Sequence, residues 1–463
     1  MEKQTEKQSE KTQKQGSFLK GATIIAAGGF IAKLLGALYR IPLTNLIGGH
    51  GIGLYQMVYP VYCLLLTVSA TGIPSSIAKL TAEKIGKGKS PSSVFKTAMK
   101  LFLLIGLFGS VLMAVIAPFL SKAQGSAEVV GGYFALAPSV LLVSAISVFR
   151  GYFQGKNDML PTALSEVCEQ IVKIAFGLLF AYLYRGNVAK AVVFLLLAVS
   201  ISELFALLLM ILLYKRVPDS EKTEKGGGRV LTKHILRLSI PVTFSSILLP
   251  LSALLDSVLA VRLMGAYSAD AVALYGLFSG GAVTVINLPV SVCYGIAAAS
   301  VPSVAQAKAQ REIQSADKKK PSVRKRIFFA LGVTVAISVP AAIGLYFFAE
   351  PAAKLIFRSL KGEELSMLVG LIKAFAFSAF TLSCVQTLSA CLTAQGKPKY
   401  AALSMLVAVS VKTLAYSFLL KNPEISVYGL AYATNLCYLV AFLLNLLYNL
   451  WVSKPPKKAK TKE

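Results

Sequence analysis

Residues 427–452 read VYGLAYATNLCYLVAFLLNLLYNLWV and carry no charged side chain. Residues 188–214 read VAKAVVFLLLAVSISELFALLLMILLY and carry two, Lys190 and Glu203. An α-helix needs roughly 20 mostly apolar residues to cross the hydrocarbon core of a bilayer. Both segments exceed that length, so the sequence predicts transmembrane helices here and an all-α membrane fold.

The composition of the whole chain agrees with these two segments. Of the 463 residues, 55% are hydrophobic and 15% are charged, whereas soluble domains carry about 25% charged residues. The net charge of +27 raises the alternative of a nucleic-acid partner. Because the basic residues lie between apolar runs, and the sequence has no Cys-x-x-Cys pair and no RNA-binding aromatic motif, we predict a membrane protein without nucleic acid.

Further apolar runs extend the pattern to about twelve predicted spans. They cover residues 18–44, 54–82, 97–120, 132–153, 160–184, 188–214, 234–261, 271–302, 327–348, 367–394, 400–420 and 427–452. With the N-terminus inside, the inner loops hold most of the lysine and arginine residues. The positive-inside rule therefore predicts a multi-pass membrane protein with both termini in the cytoplasm.

These spans divide the chain into five predicted parts. Residues 1–17 are polar and lysine-rich and lack the apolar core of a signal peptide, so they predict a disordered cytoplasmic tail. Residues 18–214 and 234–452 are predicted as two lobes of six helices each. A basic cytoplasmic linker, 215–233, joins the lobes, and a basic cytoplasmic tail, 453–463, follows them.

The two lobes carry traces of an internal repeat. Residues 154–156 and 395–397 both read QGK, and each motif is followed by ALS and then by a lysine, Lys173 or Lys412. The two copies lie about 240 residues apart, close to half the chain. Because each half has an even number of spans, the repeats are parallel. Such halves are expected to enclose a central cavity and to open it alternately to the two sides of the membrane.

Charged residues within the predicted spans are candidates for the site, since a charge near the bilayer centre costs about 2.5–3.5 kcal/mol on insertion scales. Lys33 and Arg40 lie about two turns apart on one face of the first span, which has no acidic residue. They predict a basic cavity wall that suits an anionic cargo, above all a phosphate or pyrophosphate. Asp256, midway along the seventh span, is their candidate partner across the interface between the lobes.

The other charged residues have two interpretations each. Lys79 and Arg150 lie near cytoplasmic helix ends, where they either extend to the lipid headgroups or bind substrate. A further group serves either ion coupling or local salt bridges: Glu166, Glu169, Lys173, Glu203, Lys373 and Lys412.

An enzyme is a weaker alternative. Glu166 and Glu169 are three residues apart on one helix, like a glycosidase pair, but they would lie deep in the membrane. The predicted outer loops are too short for a folded acceptor-binding domain. The six cysteines lie in apolar segments and there are two histidines, so we predict no disulfide, no metal site and no cofactor.

The chain resembles a known family. The segments that carry the resemblance are KLLGALYRIPLT at 33–44, GIGLY at 51–55, GYFQG at 151–155 and PTALSE at 161–166. They are similar to the polysaccharide-biosynthesis membrane proteins of the stage V sporulation protein B group. That group is related to the MurJ-type lipid II flippases within the MATE-like MOP exporter superfamily.

The resemblance implies a flippase for an undecaprenyl-pyrophosphate-linked oligosaccharide in the plasma membrane of a bacterium, acting in cell-envelope biogenesis or sporulation. In MurJ-type proteins, basic residues of the first helix face the central cavity, and Lys33 and Arg40 match that pattern. The sequence has about twelve predicted spans, two fewer than MurJ-type proteins have. The cargo is therefore not restricted to lipid II, and teichoic, capsular and spore-coat precursors are alternatives. A coupling ion, H⁺ or Na⁺, is expected, and a cation-coupled MATE-type multidrug antiporter is the alternative function.

Overall fold

The structure is a computed structural model that describes residues 2–71, 73–216, 228–313 and 323–453. Within these ranges every regular element is helical. The α-helices are α1 (Glu2–Leu66), α2 (Ile73–Gly86), α3 (Ser92–Gln124), α4 (Val130–Gly155), α5 (Leu160–Leu183), α6 (Val188–Lys215), α7 (Gly228–Ser246), α8 (Leu248–Met264), α9 (Ala271–Gly276), α10 (Val283–Ile313), α11 (Val323–Phe347), α12 (Ala349–Ile356), α13 (Gly362–Phe375), α14 (Phe377–Ala394), α15 (Pro398–Leu419) and α16 (Tyr428–Val452).

The predicted all-α polytopic fold is confirmed. All twelve predicted spans lie on these helices, and 9 helical segments of the described ranges are long and apolar enough to cross a membrane. The difference in number has local causes. The first two predicted spans run together in α1, the seventh is divided between α7 and α8, and α5 carries Glu166, Glu169 and Lys173.

Helix α1 consists of two helical segments joined at a glycine. Gly48 has φ 67° and ψ −176°, a left-handed conformation that breaks the helical path and that glycine adopts without a steric penalty. This bend separates the first predicted span from the second. Where the sequence predicts a disordered tail, α1 is already helical from Glu2, because the glutamate, lysine and glutamine residues there are strong helix formers.

The helices form two compact units by their contacts. Unit 1 comprises Met1–Gly281 with Phe357–Leu360, and unit 2 comprises Ala282–Ile356 with Lys361–Glu463. This division falls after α9, whereas the predicted linker precedes α7. Most of that linker, 217–227, and residues 454–463 of the predicted tail lie outside the described residues. The lobe boundaries therefore stay a prediction.

Unit 1 is a helical bundle with an aromatic core at one end. Phe95 of α3 stacks on Tyr214 of α6 with ring centroids 4.5 Å apart, and Phe149 and Tyr152 of α4 contact the same pair. On its outward face α3 exposes large apolar side chains: Leu104, Phe108, Val111 and Phe119. An exposed apolar face on a long helix is stable in lipid but not in water, as the composition predicts.

Unit 2 contains a buried amide network between α14 and α16. Gln395 donates from Nε2 to Asn449 Oδ1 at 2.9 Å, and Asn449 Nδ2 donates to the carbonyl of Leu388 at 3.0 Å.

Both QGK motifs of the repeat have the same local structure, since each lies where one helix ends and the next begins, between α4 and α5 or between α14 and α15.

Candidate functional site

Unit 1 contains a cavity of about 360 Å³ lined by charged side chains. We call it the charged cavity. Arg150 comes from α4, Glu166, Glu169 and Lys173 from α5, and Glu203 from α6. The remaining lining includes Tyr59, Tyr62 and Cys63 of α1, Pro74 of α2, and Gln154 and Thr162 beside the QGK junction. Five charged residues that the sequence identifies as candidates, from three different helices, thus meet in one place.

Arg150 contacts two side chains of α5. Its Nε donates a hydrogen bond to Ser165 Oγ at 2.9 Å, and its NH2 nitrogen forms an ion pair with Glu169 Oε2 at 3.4 Å. Ser165 and Glu169 are one turn apart on α5, so a single guanidinium reaches both. Gln170 Nε2 donates to the other oxygen of Glu169 at 3.3 Å.

We expect Arg150→Leu to lower stability, because it leaves the Glu169 carboxylate half-buried without its cation. Breaking a buried pair costs about 3–5 kcal/mol. The two side chains here are 15% and 19% exposed, so solvent screens part of this effect and we expect about 1–3 kcal/mol. Thermal unfolding in detergent measures the loss. The Arg150→Leu/Glu169→Leu double variant should recover most of it, and an equally unstable double variant would contradict the ion-pair explanation.

Glu203 is the most deeply buried acid of the cavity, with 3% of its surface exposed. The Tyr62 hydroxyl donates to its Oε1 at 3.3 Å, and its Oε2 has no hydrogen-bond partner within the described residues. A buried carboxylate lacking a full set of partners is costly, so such a group is retained for a function or binds a cation or proton.

Lys173 lines the same cavity one turn beyond Glu169. Within the described part of the chain it forms neither a hydrogen bond nor an ion pair, although Glu169 and Glu203 act on it electrostatically. A lysine ammonium is a compact charge with three donors. The cavity therefore presents an ammonium group that a polyanionic ligand can approach.

Arg40 of α1 is a third cation near the cavity, after Arg150 and Lys173. It is half-buried on α1 and interacts electrostatically with Tyr59, Cys63 and Lys173, all of which line the cavity. Glycines let α1 approach α5 closely at this point, since a Cβ on Gly36 would lie 3.3 Å from Gln170 Oε1. Lys33 lies on the same helix two turns earlier, but its side chain is outside the described part of the structure.

The other predicted site residues are not among those that line the charged cavity. Lys79 of α2 is exposed, and Asp256 is half-buried on α8 of unit 1. In unit 2, Lys373 of α13 is exposed, whereas Lys412 of α15 is buried with its Nζ 5.7 Å from the centroid of the Tyr416 ring. The functional roles of all four stay predictions.

Sequence reasoning missed the α1 side of the cavity. Tyr59, Tyr62 and Cys63 follow an i, i+3, i+4 spacing, which places them on one helix face. The signal available in the sequence was a set of aromatic residues with a hydroxyl group in the middle of a span. Tyrosine is neutral, however, so these residues were not selected as candidates in the way that charged residues were.

Charged groups inside a cavity among membrane-spanning helices are characteristic of transport pathways, so the fold and the cavity define a membrane transporter. Comparisons with known proteins agree. Residues 18–308 match the family described as polysaccharide biosynthesis protein, and residues 241–419 match the MatE family. The chain belongs to the polysaccharide biosynthesis protein family.

Individual relatives extend over most of the chain. Stage V sporulation protein B of Bacillus subtilis (strain 168) is 25% identical over 90% of this chain and 80% of its own length. Lipid II flippase MurJ of the same organism is 23% identical over 92% of this chain and 81% of its own length. A solved inward-facing multidrug resistance MATE family transporter of the MOP superfamily has a TM-score of 0.73 at 16% identity, covering 92% of this chain and 96% of that one. The resemblance inferred from the sequence is confirmed, and the chain has the fold of a MOP superfamily transporter or flippase.

Proposed function

We propose that this protein flips an undecaprenyl-pyrophosphate-linked oligosaccharide across the bacterial plasma membrane by alternating access. The observation that carries the proposal is Lys173, an ammonium in the charged cavity that has no ion-pair partner among the described residues. Arg40 acts on it from α1. Since two neighbouring cations repel each other, an anion that binds between them is attracted by both.

The chemistry of a pyrophosphate group matches that of the two cations. Arginine engages phosphate oxygens with two parallel N–H donors, and lysine acts as a point charge on the next oxygen. In this proposal Lys33, on the helix of Arg40, extends the basic wall, and Lys79 attracts the headgroup from the cytoplasmic leaflet. The sugars would occupy the polar path while the polyprenyl chain remains in the lipid. The naming of one relative as a lipid II flippase supports this class of cargo.

Glu203 is the proposed coupling group. A proton or Na⁺ on its carboxylate would supply the missing partner of Oε2 and cancel a buried charge. Glu203 and Lys173 interact electrostatically within the cavity. A proton or Na⁺ bound to Glu203 would cancel its negative charge, so Lys173 would attract an anionic cargo more strongly. Ion binding and cargo binding would then favour each other.

One observation favours a second function. Glu166, Glu169 and Glu203 give the cavity three carboxylates, and acidic cavities suit organic cations. Together with the MatE match over residues 241–419, this supports a cation-coupled multidrug antiporter as the alternative.

A comparison of cargoes decides between the two functions. The wild-type protein is reconstituted into vesicles and tested with fluorescent undecaprenyl-pyrophosphate-linked disaccharide and, separately, with ethidium under an imposed proton gradient. We expect flipping of the lipid-linked sugar at least ten-fold above protein-free vesicles and no ethidium transport. Native mass spectrometry should also find a polyprenyl-linked glycan on the purified protein. Ethidium transport without lipid flipping would replace the flippase by the antiporter.

A further inference from the structure

The outward face of unit 1 contains an apolar groove between α3 and α4. Its volume is about 400 Å³, and it is lined by Leu103, Leu104 and Leu107 of α3, by Leu141 of α4 and by Lys100, which lies nearest the start of α3. The three leucines of α3 are exposed, so in a membrane the groove is open to lipid. We call it the lipid-facing groove.

The groove lies where the backbones of α3 and α4 come very close together. A Cβ added to Gly106 of α3 would lie 2.8 Å from Ser144 Cβ and 3.0 Å from Leu141 Cα, both of α4. One turn further along α3, Ser110 Oγ accepts a hydrogen bond from the backbone N–H of Leu141 at 3.1 Å. Small residues permit this close packing of membrane helices, and the neighbouring leucines project beyond the contact as the walls of the groove.

Lys100 places a cation at the end of the groove nearer the predicted cytoplasmic side. Helix α3 begins at Ser92, beside the predicted inner loop between the second and third spans. With a rise of about 1.5 Å per residue, Lys100 lies ~12 Å and Leu107 ~22 Å along the helix. Lys100 is exposed and forms neither a hydrogen bond nor an ion pair within the described residues. Lys96, also exposed, lies one turn earlier on the same side of α3.

A cation beside an apolar groove matches the chemistry of an anionic phospholipid. Lysine packs its aliphatic stem on apolar surface while its ammonium stays at the level of the headgroups, and lysines at the cytoplasmic surface attract anionic lipids. An acyl chain has no polar group, and the leucines of the groove offer none. We propose that the lipid-facing groove binds one anionic phospholipid of the inner leaflet, with the phosphate at Lys100 and one acyl chain along the leucines.

Helix α4 separates this groove from the charged cavity. It contributes Leu141 to the groove, whereas Val143, Ser147 and Arg150 line the cavity. A phospholipid bound between α3 and α4 therefore stabilises one wall of the cavity without entering it. The described residues that line the groove and those that line the cavity have no member in common. The bound lipid is thus distinct from the cargo, and the inference does not rest on the proposed function.

Quenching of a single tryptophan by lipid tests the groove. The chain has one tryptophan, Trp451, which is replaced by phenylalanine, and Leu104→Trp puts a reporter in the groove where the parent side chain is 67% exposed. In vesicles, phosphatidylglycerol brominated on its acyl chains should quench this reporter with at least five-fold higher apparent affinity than brominated phosphatidylcholine. The matched control is Ile171→Trp, an exposed position outside the groove that also lies about three turns from the start of its helix. There the two lipids should agree within two-fold.

Charge variants test the role of Lys100. In the Leu104→Trp reporter, Lys100→Gln should remove the preference for phosphatidylglycerol. Lys87→Gln removes an exposed lysine on the same predicted side but outside the groove, so it should keep the preference. A second measurement needs no reporter. In native mass spectrometry, Lys100→Gln in the otherwise unchanged chain should retain phosphatidylglycerol at least five-fold less often than the wild type.

Three results would overturn the site: equal quenching of the Leu104→Trp reporter by both lipids, the same preference at Ile171→Trp, or a preference that survives Lys100→Gln. The first two would show ordinary lipid contact, and the third would show attraction by the general charge of the protein. Displacement of brominated phosphatidylglycerol from the reporter by a lipid-linked disaccharide would instead assign the groove to the polyprenyl chain of the cargo. None of these readouts requires transport, so they stand apart from the test of the proposed function.

Discussion

The Lys33→Ala/Arg40→Ala double variant is expected to flip lipid-linked oligosaccharide at least about 100-fold more slowly than the wild type. A hydrogen bond to a charged group contributes about 1.5–3 kcal/mol, and 1.4 kcal/mol corresponds to a factor of ten. The loss of rate on removing two cations from one wall of the path is therefore expected to exceed the loss on removing any single lysine. The rate of fluorescent lipid flipping in vesicles, at matched protein density, is the measurement.

Two matched controls separate substrate binding from other effects of charge. Lys190→Ala removes an exposed lysine of α6 that does not line the charged cavity, and it should leave the rate within two-fold of wild type. Arg40→Lys keeps the charge but loses the planar pair of donors, so an intermediate rate is expected if pyrophosphate is bound. A double alanine variant with an unchanged melting temperature and an unchanged rate would rule out the basic wall on α1.

The spans and the charges were predictable from the sequence because both are local properties. An apolar run such as 427–452 is stable in the hydrocarbon core of a bilayer, whichever helices it packs against. The charges of α5 were equally visible, and their position three and four residues apart placed Glu166, Glu169 and Lys173 on one side of a helix. What this spacing does not give is the partner on another helix.

The assembly of the cavity depends on contacts between residues distant in the sequence. Tyr62 meets Glu203 across 141 positions, and Arg150 meets Glu169 only because α4 and α5 turn back at the QGK junction. Asp256 was predicted to face the basic wall of the first span. The sequence shows which helices carry charge, but not how each helix is rotated about its axis. That pairing is still a prediction.

The close contact between Gly53 of α1 and Gly276 of α9 shows a different limit of sequence reasoning. In the sequence, Gly49 and Gly53 lie between the first two predicted spans, 18–44 and 54–82. The same residues in the structure extend a helix and provide a packing surface, because Gly48 alone makes the bend. The contact with α9 then explains why the compact unit ends at Gly281 instead of at the predicted linker.

The second large effect is expected from Glu203→Gln. Glutamine reproduces the protonated form of the side chain in shape and can still accept the hydrogen bond from the Tyr62 hydroxyl. If Glu203 carries the coupling ion, flipping by the wild type should change at least ten-fold when a proton or sodium gradient is imposed. The variant should flip at one rate whatever the gradient. Flipping rates across vesicles with imposed gradients of each ion measure this and identify the ion.

The glutamine variant also separates coupling from a purely structural role. Removing a buried charge that lacks a full set of partners should raise the melting temperature in either case. Only a coupling role predicts that the gradient dependence disappears, and that Glu203→Asp, which keeps the acid, retains it. Glu424→Gln, which removes an exposed acid of unit 2, should behave as wild type. A Glu203→Gln variant that is more stable but remains gradient-dependent would assign Glu203 to structure and leave the coupling ion to another group.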